Sequence, residues 1–199
     1  MKFHIVISTI DQNKEHLDKL LKTIDDKIDV IVVYSNSVKN GHDQASPNRT
    51  NVYMEKNLYE YTAWLGVDYL IKNGIADTDD WFLMTHDTTL FTEESPVLIG
   101  VLLATLHNTP IEFYSLVKGG FHNIALCRKT GIKLVAEHFH TVETMNKEGA
   151  RGYETKLVDF LAPSVVGEYI YRPYTMDNEF IPGKKTSFFK SIGLFKAYI

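Results

Sequence analysis

The sequence predicts an α/β fold in which a mostly parallel central sheet is covered by helices on both faces. Short β-branched apolar runs alternate with segments of helical apolar spacing in the first half of the chain, and this β-α-β-α-β order is typical of a parallel sheet. In addition, 44% of the 199 residues are hydrophobic, so the chain can bury a sizeable core. No linker-like composition divides the chain, which is therefore predicted to form a single domain over residues 1–199.

Four strands and two helices are predicted in the first half. The strands are Phe3–Ile10, Ile28–Tyr34, a short run at Asn51–Glu55, and Trp81–Thr85. Asp11 is predicted to cap a first helix, and a second helix ends near Gly74. Their apolar faces are formed by Leu17, Leu20, Leu21 and Ile24, and by Tyr61, Trp64, Leu65, Tyr69 and Leu70. The stretch Ser35–Arg49 is rich in Ser, Asn, Gly and Pro, which predicts a loop.

The second half is less regular. Its predicted helices are Pro96–Leu106, Ile132–His140 and Tyr153–Leu161, and its predicted strands are Glu112–Leu116, Asn123–Cys127 and Val165–Arg172.

The chain from Phe180 onward is basic and aromatic, with four lysines, no acid and five aromatic residues. Apolar side chains at i, i+4, i+7 and i+11 predict a C-terminal helix, and these are Phe188, Ile192, Phe195 and Ile199. Three interpretations stay open: a helix packed on the domain, a peripheral membrane contact through lysines that attract anionic head groups, or a lid. In the lid, Gly183 is the hinge and Lys184 or Lys185 reaches the ligand.

Composition excludes several classes of function. The net charge is −4 and only four residues are arginines, so duplex nucleic acid is not an expected partner. Cys127 is the single cysteine, which excludes an intrachain disulfide and a Cys-based zinc site. The apolar run before Asp11 is too short to span a membrane and no stretch of 18 apolar residues occurs, so a soluble, cytoplasmic protein is expected. No glycine-rich dinucleotide motif or P-loop follows the first strand.

Ligands of open parallel sheets bind beyond the carboxyl ends of the strands. That rule selects the residues at three strand ends, which are Ser8, Thr9 and Ile10, then Tyr34, Ser35 and Asn36, then His86, Asp87, Thr88 and Thr89. Asp87 is predicted either to bind a hard divalent cation, which would also bind two phosphates, or to cap the next turn. Asp79 and Asp80 precede the strand, at the opposite end, and are predicted as solvated turn residues.

The triplet Thr85-His86-Asp87, after an apolar strand, resembles the DxD region of glycosyltransferases with the GT-A fold. Those enzymes use a nucleotide-diphosphate sugar, and the last Asp of the motif typically holds Mn²⁺ or Mg²⁺ on the diphosphate; here Thr85 replaces the first acid. Residues 56–66 and 119–128 are similar to the family's helix beside the nucleotide and to its segment after the DxD motif. The resemblance covers roughly residues 1–160, and such short chains are similar to minimal transferases of polysaccharide assembly or large DNA viruses.

The resemblance implies a single GT-A-like, Rossmann-like domain. Residues 1–90 would bind the nucleotide and residues 91–199 the sugar and the acceptor. Asp87 would hold the Mn²⁺ or Mg²⁺ cofactor. Nucleotide contacts are implied for Thr9, Tyr34, Asn57 and His86, and sugar contacts for Gly120, His122 and Asn123.

Glu154 follows Gly152 and Tyr153 at the start of a predicted helix. Inverting members of the family often have an acid at this position, and that acid deprotonates the acceptor hydroxyl. The alternative is that Glu154 stabilises the first turn of that helix. Retaining transferases need no such base, so the stereochemical outcome stays open.

The resulting hypothesis is a metal-dependent glycosyltransferase of the hexosyltransferase type. It would transfer a sugar from a nucleotide-diphosphate donor to a glycan, a lipid-linked acceptor or another hydroxyl acceptor. Two alternatives stay open. One is a non-catalytic nucleotide-sugar or glycan-binding domain, which the missing first acid of the motif favours, and the other is a nucleotidyltransferase.

Overall fold

A computed structural model describes residues 2–116, 124–156, 170–171, 178–181, 186–190 and 192–197. Within these ranges, side chains are described except at 154–156, 170–171, 178–181, 186–187 and 197.

The strands are β1 (Phe3–Thr9), β2 (Asp29–Tyr34), β3 (Gly41–Ser46), β4 (Arg49–Tyr53), β5 (Trp81–His86), β6 (Thr89–Phe91), β7 (Phe113–Ser115), β8 (Ala125–Cys127), β9 (Ile170–Tyr171), β10 (Asn178–Ile181), β11 (Thr186–Phe189) and β12 (Leu194–Ala197). The helices are α1 (Lys14–Leu21), α2 (Thr62–Lys72), α3 (Ser95–Leu106), α4 (Lys129–Thr141) and α5 (Lys147–Lys156).

The larger sheet has the strand order β3-β4-β2-β1-β5-β8-β7-β9. Its centre, formed by β4, β2, β1 and β5, is parallel throughout. The strand β4 is mixed in polarity and only partly buried, whereas β1, β2 and β5 are largely buried runs rich in β-branched or apolar residues. Such runs suit strands that are buried on both faces. Antiparallel pairs flank this centre, between β3 and β4 on one side and between β5, β8 and β7 on the other.

Two hydrophobic layers cover the sheet, one on each face. Alternate residues of β1 point to opposite faces, so Val6 packs in the layer that contains α2 and α4. Ile5 and Ile7 pack in the layer that contains α1, α3 and the smaller sheet. The predicted mostly parallel α/β architecture with helices on both faces is therefore confirmed.

The predicted loop Ser35–Arg49 is wrong in part, because it contains β3. This edge strand pairs antiparallel with β4, and most of its side chains are exposed. Polar residues are compatible with an edge strand, whose side chains need not enter a core. The composition of the segment therefore concealed a strand.

The predicted role of Asp80 as a solvated turn residue is also wrong. Its side chain is 2% exposed and accepts hydrogen bonds from the Lys2 backbone N–H (2.6 Å) and from the Asp77 backbone N–H (3.2 Å). The Lys2 N–H donates to Oδ1 and the Asp77 N–H to Oδ2, and Nε2 of the His4 ring lies 2.9 Å from the same Oδ2. Asp80 thus fastens the starts of β1 and β5 together, at the end of the sheet opposite the predicted site.

The predicted C-terminal helix is wrong. The segment forms β10, β11 and β12, which with β6 make an antiparallel sheet of order β10-β11-β12-β6. Phe188 lies directly opposite Phe195 across the β11–β12 pair, and their rings are 4.6 Å apart. Phe189 and Leu194 lie opposite each other on the buried face. The membrane-surface and packed-helix interpretations both required a helix in this segment, and that helix does not form. The residues of the lid interpretation, Gly183, Lys184 and Lys185, lie outside the described residues.

None of the helices in the described ranges is long and apolar enough to cross a bilayer.

Gly193 is predicted to be essential for the β11–β12 connection. Its φ is +61°, and an added Cβ would lie 2.6 Å from Thr92 Oγ1 and 3.0 Å from Ser95 Oγ. We expect Gly193→Ala to lower the free energy of unfolding by roughly 1–3 kcal/mol, from the left-handed backbone and the overlap together. Urea denaturation measures the change.

Gly100 provides the matched control, because it is exposed in α3 and nothing lies within 4 Å of an added Cβ. Gly100→Ala should raise the free energy of unfolding by roughly 0.5–1 kcal/mol through helix propensity. Equal effects at the two glycines would contradict the role of Gly193.

Candidate functional site

The parallel pairing brings the predicted strand-end residues to one edge of the sheet. Thr9 of β1 pairs with Tyr34 of β2, and Ser8 of β1 pairs with His86 of β5. The carboxyl ends of parallel strands share an edge, where ligands of this sheet type bind. Thr9, Tyr34, His86 and Asp87 therefore lie along the same edge, as the strand order requires.

Asp87 is tied to the end of β1 by two side chains. Thr9 Oγ1 donates a hydrogen bond of 2.7 Å to Asp87 Oδ2, and Asn13 Nδ2 donates one of 2.9 Å to the same oxygen. The Asp87 backbone N–H also donates to the Ser8 carbonyl oxygen at 3.2 Å. Asn13 belongs to a short 3-10 helix, Asp11–Asn13, which forms where the sequence predicted Asp11 as a cap.

Burial raises the pKa of the Asp87 carboxyl, and the hydrogen bonds from Thr9 and Asn13 only partly oppose this effect. Asp87 is 6% exposed, so its ionised form is held at an energetic disadvantage. A buried carboxyl with a perturbed pKa at a ligand-binding edge is a candidate functional group.

The His86 imidazole lies at the end of β5. Burial, reinforced by the charge of Lys196, lowers the pKa of its imidazole well below the ordinary value. Thr88 Oγ1 lies 2.7 Å from Nδ1, whereas Nε2 is buried and has no hydrogen-bond partner among the described residues. Buried polar atoms are nearly always paired, so Nε2 is an exception among the described residues.

The side chain of Asn57 shapes the turn before α2. Its Oδ1 accepts the backbone N–H of Tyr59 at 3.1 Å, and Ser8 Oγ donates to the Tyr59 carbonyl oxygen at 3.2 Å. Tyr59 has a φ of +55°, a conformation that costs a non-glycine residue roughly 1–2 kcal/mol. These hydrogen bonds hold the turn against the end of β1, and a nucleotide contact of Asn57 stays a prediction.

Tyr34 lines an open cleft between α1 and the end of β4. Its ring stacks on that of Tyr53 with centroids 5.5 Å apart, and burial raises the pKa of its phenol, opposed by the Arg49 charge. The cleft also contains two cations, Lys14 and Arg49, and two acids, Asp11 and Asp18, and Lys14 Nζ pairs with Asp18 Oδ2 at 2.8 Å. An aromatic wall suits a planar ligand. Sequence reasoning missed Tyr53 because it fell within a short predicted strand.

Glu154 lies within α5, whose first residue is Lys147. The predicted start at Tyr153 is therefore wrong, and so is the alternative role of Glu154 in a first helical turn. Tyr61, two residues beyond Tyr59, donates from its hydroxyl to the Ala150 carbonyl oxygen of α5 at 3.4 Å. This contact packs α5 against the segment that borders the candidate site. The base role of Glu154 stays a prediction, and Gly120, His122 and Asn123 lie outside the described residues.

The described residues offer few metal ligands. Within those ranges, no group of three or more His, Cys, Asp or Glu side chains could hold a metal ion. Thr9 and Asn13 both engage Oδ2 of Asp87, so a cation would bind through Oδ1. Mg²⁺ is commonly held by one or two carboxylates together with waters and substrate phosphates. Among the described residues, Asp87 therefore fits a cation shared with a diphosphate rather than one held by their side chains alone.

No family model matches the chain, and no curated protein does. Among solved structures, the fold is similar to that of a glycosyltransferase involved in the glycosylation of the major capsid of PBCV-1, with a TM-score of 0.51. The two chains share 10% sequence identity, and the similarity covers 88% of this chain and 84% of the other. The chain thus has a glycosyltransferase-like fold, while the residue roles stay predictions.

We expect Asp87→Asn to gain stability relative to the parent protein as pH rises. Because the pKa of Asp87 is raised in the folded state, the favourable contribution of its protonated form is fully present below the unfolded value of about 3.9. That contribution is lost as pH rises through the higher folded value. Urea denaturation between pH 4 and pH 7 measures the difference.

The exposed Asp79 supplies a control with the same charge change at the other end of the sheet. Asp79→Asn should show no comparable trend. If Asp87→Asn instead lost stability relative to the parent with rising pH, the carboxylate would be stabilised by its hydrogen bonds rather than held at a disadvantage.

Proposed function

We propose that the protein is a metal-dependent glycosyltransferase that uses a nucleotide-diphosphate sugar and transfers the sugar to a hydroxyl of a glycan or lipid-linked acceptor. The observation that carries this proposal is the buried Asp87 carboxylate, fixed by Thr9 and Asn13 at the ligand-binding edge of the sheet. The glycosyltransferase-like fold supports it. A hexose is the proposed sugar, on the sequence resemblance alone.

Asp87, through Oδ1, is the residue that would hold Mn²⁺ or Mg²⁺. When bound, such an ion neutralises charge that develops on a leaving diphosphate. The protein's own residues would position the donor: the Tyr34–Tyr53 pair would stack on the base, and Thr9 would keep Asp87 in place. Gly120, His122 and Asn123 are proposed to face the sugar.

Glu154 is proposed as the general base. In an inverting transfer, its carboxylate would accept the proton of the acceptor hydroxyl as that oxygen attacks the anomeric carbon and the bond to the diphosphate breaks. The packing of α5 against Tyr61 supports this assignment, because Tyr61 adjoins the turn that contacts the end of β1.

A second candidate is a non-catalytic domain that binds a nucleotide sugar or glycan. Thr85 favours this candidate, because it stands in place of the first acid and its hydroxyl pairs with Thr89 Oγ1 at 2.8 Å. Thr85 is buried and is therefore engaged within the fold.

We expect the protein to hydrolyse one member of a nucleotide-sugar panel slowly in the presence of Mn²⁺, releasing free sugar and nucleoside diphosphate. Asp87→Asn should weaken Mn²⁺-dependent donor binding at least about tenfold, since a charged contact contributes about 1.5–3 kcal/mol. Calorimetry and product chromatography measure the two effects.

Three outcomes separate the candidates. Binding without sugar release would favour the non-catalytic domain, and pyrophosphate release from a nucleoside triphosphate would favour a nucleotidyltransferase. Donor affinity that Asp87→Asn leaves unchanged would overturn the metal assignment, provided that the Asp79→Asn control also binds normally.

We expect Glu154→Gln to reduce the rate of donor hydrolysis by roughly 10²–10⁴-fold, which is the usual contribution of a general base. Donor affinity should stay within about twofold, because the base contacts the nucleophile rather than the donor. Glu148→Gln, in the first turn of the same helix, is the matched control and should hydrolyse normally. A rate for Glu154→Gln close to that of the control would assign the base elsewhere or indicate a retaining enzyme.

A further inference from the structure

Lys56 joins two parts of the chain that are far apart in sequence. Its Nζ donates hydrogen bonds to the carbonyl oxygens of His140 at 2.8 Å, Val142 at 2.9 Å and Phe139 at 3.5 Å. These carbonyls mark the end of α4, where the backbone becomes extended at Val142. The carbonyls at the end of a helix lack intrahelical partners and carry partial negative charge, so an ammonium with three protons suits them.

The end of α4 is stabilised by a distant residue rather than by a local one. Helices commonly end on a glycine that satisfies the last carbonyls from within the same turn, whereas α4 is followed by Val142, Glu143 and Thr144. Lys56 lies 84 positions before His140, whose carbonyl it binds. The contact therefore fixes the position of one segment relative to another, in addition to ending a helix.

The segment that begins at Lys56 also contacts α5. Tyr61 donates from its hydroxyl to the Ala150 carbonyl oxygen at 3.4 Å. Its ring also meets that of Tyr153 edge-on, with centroids 5.8 Å apart. Tyr153 directly precedes the proposed base, Glu154, in the sequence. The same short segment thus contacts both the end of α4 and the middle of α5.

On its other side, this bridging segment, residues 56–61, contacts the ligand-binding edge of the sheet. The Tyr59 carbonyl oxygen accepts a hydrogen bond from Ser8 Oγ at 3.2 Å. The next residue of β1, Thr9, donates to Asp87 at 2.7 Å. A series of contacts therefore runs from Asp87 through the end of β1 and the bridging segment to α4 and α5.

We propose that Lys56 is a positioning residue that fixes α5, and with it the proposed base Glu154, relative to Asp87. This inference rests on the proposed function, since it concerns the geometry of the same reaction. Lys56 holds the point where the chain leaves α4, and residues 142–146 lead from that point into α5. A displacement of about 1 Å between reacting groups can cost about 10²-fold in rate. Loss of the Lys56 ammonium therefore slows the reaction without weakening donor binding.

The test compares donor hydrolysis by the parent protein with hydrolysis by Lys56→Met, Lys56→Gln and Lys56→Arg, using the nucleotide sugar that the parent hydrolyses with Mn²⁺. Values of kcat and KM are measured at a temperature where thermal unfolding shows every variant to be folded, and calorimetry measures donor affinity. Two neutral variants are included so that one remains if the other fails to fold. Lys133→Met is the matched control, because Lys133 is an exposed lysine of α4 that pairs with Glu137 at 3.8 Å.

We expect Lys56→Met and Lys56→Gln to lower kcat at least about tenfold, while KM and donor affinity stay within about twofold. Lys56→Arg should recover part of the rate, because a guanidinium keeps the charge and several donors, and Lys133→Met should behave like the parent. In a Glu154→Gln background, Lys56→Met should lower the rate by less than about a further twofold, since residues that act as a unit are not additive.

Hydrogen exchange tests the same contact without any donor. Lys56→Met should raise the exchange rate of the α5 amides at least about tenfold and leave that of the β1 amides unchanged, because the lost contact lies at the end of α4. Lys133→Met should change neither.

The remaining outcomes overturn the inference in distinguishable ways. A parent-like kcat in both Lys56→Met and Lys56→Gln, even with lower stability, would show a purely structural cap and leave the proposed function intact. A loss of kcat that adds in full to that of Glu154→Gln would refute positioning through the base. A parent protein that hydrolyses no donor would refute the proposed function, and parent-like exchange of α5 in Lys56→Met would then refute the role of Lys56 as well.

Discussion

The hydrogen bonds from Thr9 and Asn13 to Asp87 are the constraint on which the candidate site depends. They hold one carboxylate oxygen, join the ends of β1 and β5, and fix the short helix that leads into α1. Leaving a buried polar group unpaired costs about 1–3 kcal/mol, so these side chains are required by the fold as well as by the site. A movement of Asp87 away from β1 would therefore break both hydrogen bonds.

The central architecture could be predicted because its signals are local. The parallel strands β1, β2 and β5 are largely apolar runs, and such runs at the sheet centre leave few alternatives. The C-terminal segment could not be predicted in the same way. Phe188 and Phe195 fit one helical face, yet a hairpin with a left-handed Gly193 places the same two rings opposite each other. Spacing alone does not separate these structures, because the deciding interaction is the pairing of β12 with the distant β6.

The residues of the candidate site were also predicted only in part. Thr9, Tyr34, His86 and Asp87 follow from a rule about strand ends, which needs only the position of each strand. Asn13 was missed because its role depends on a 3-10 turn that folds its amide back onto Asp87. Lys196 was missed because its neighbour Thr89 is remote in sequence, and the lysine-rich composition of the segment gave no indication of which lysine is buried.

The smaller sheet therefore contributes both apolar side chains and one lysine to its inward face. On its inward face, Phe91 and Leu194 complete the hydrophobic layer under β1 and β5, and Lys196 continues that face toward the candidate site. With Thr85 in place of an acid, the described residues at this edge offer one carboxylate rather than two, so they neutralise less of the charge of a divalent cation. This balance is the physical reason to expect that phosphate groups contribute ligands of their own to any metal bound at Asp87.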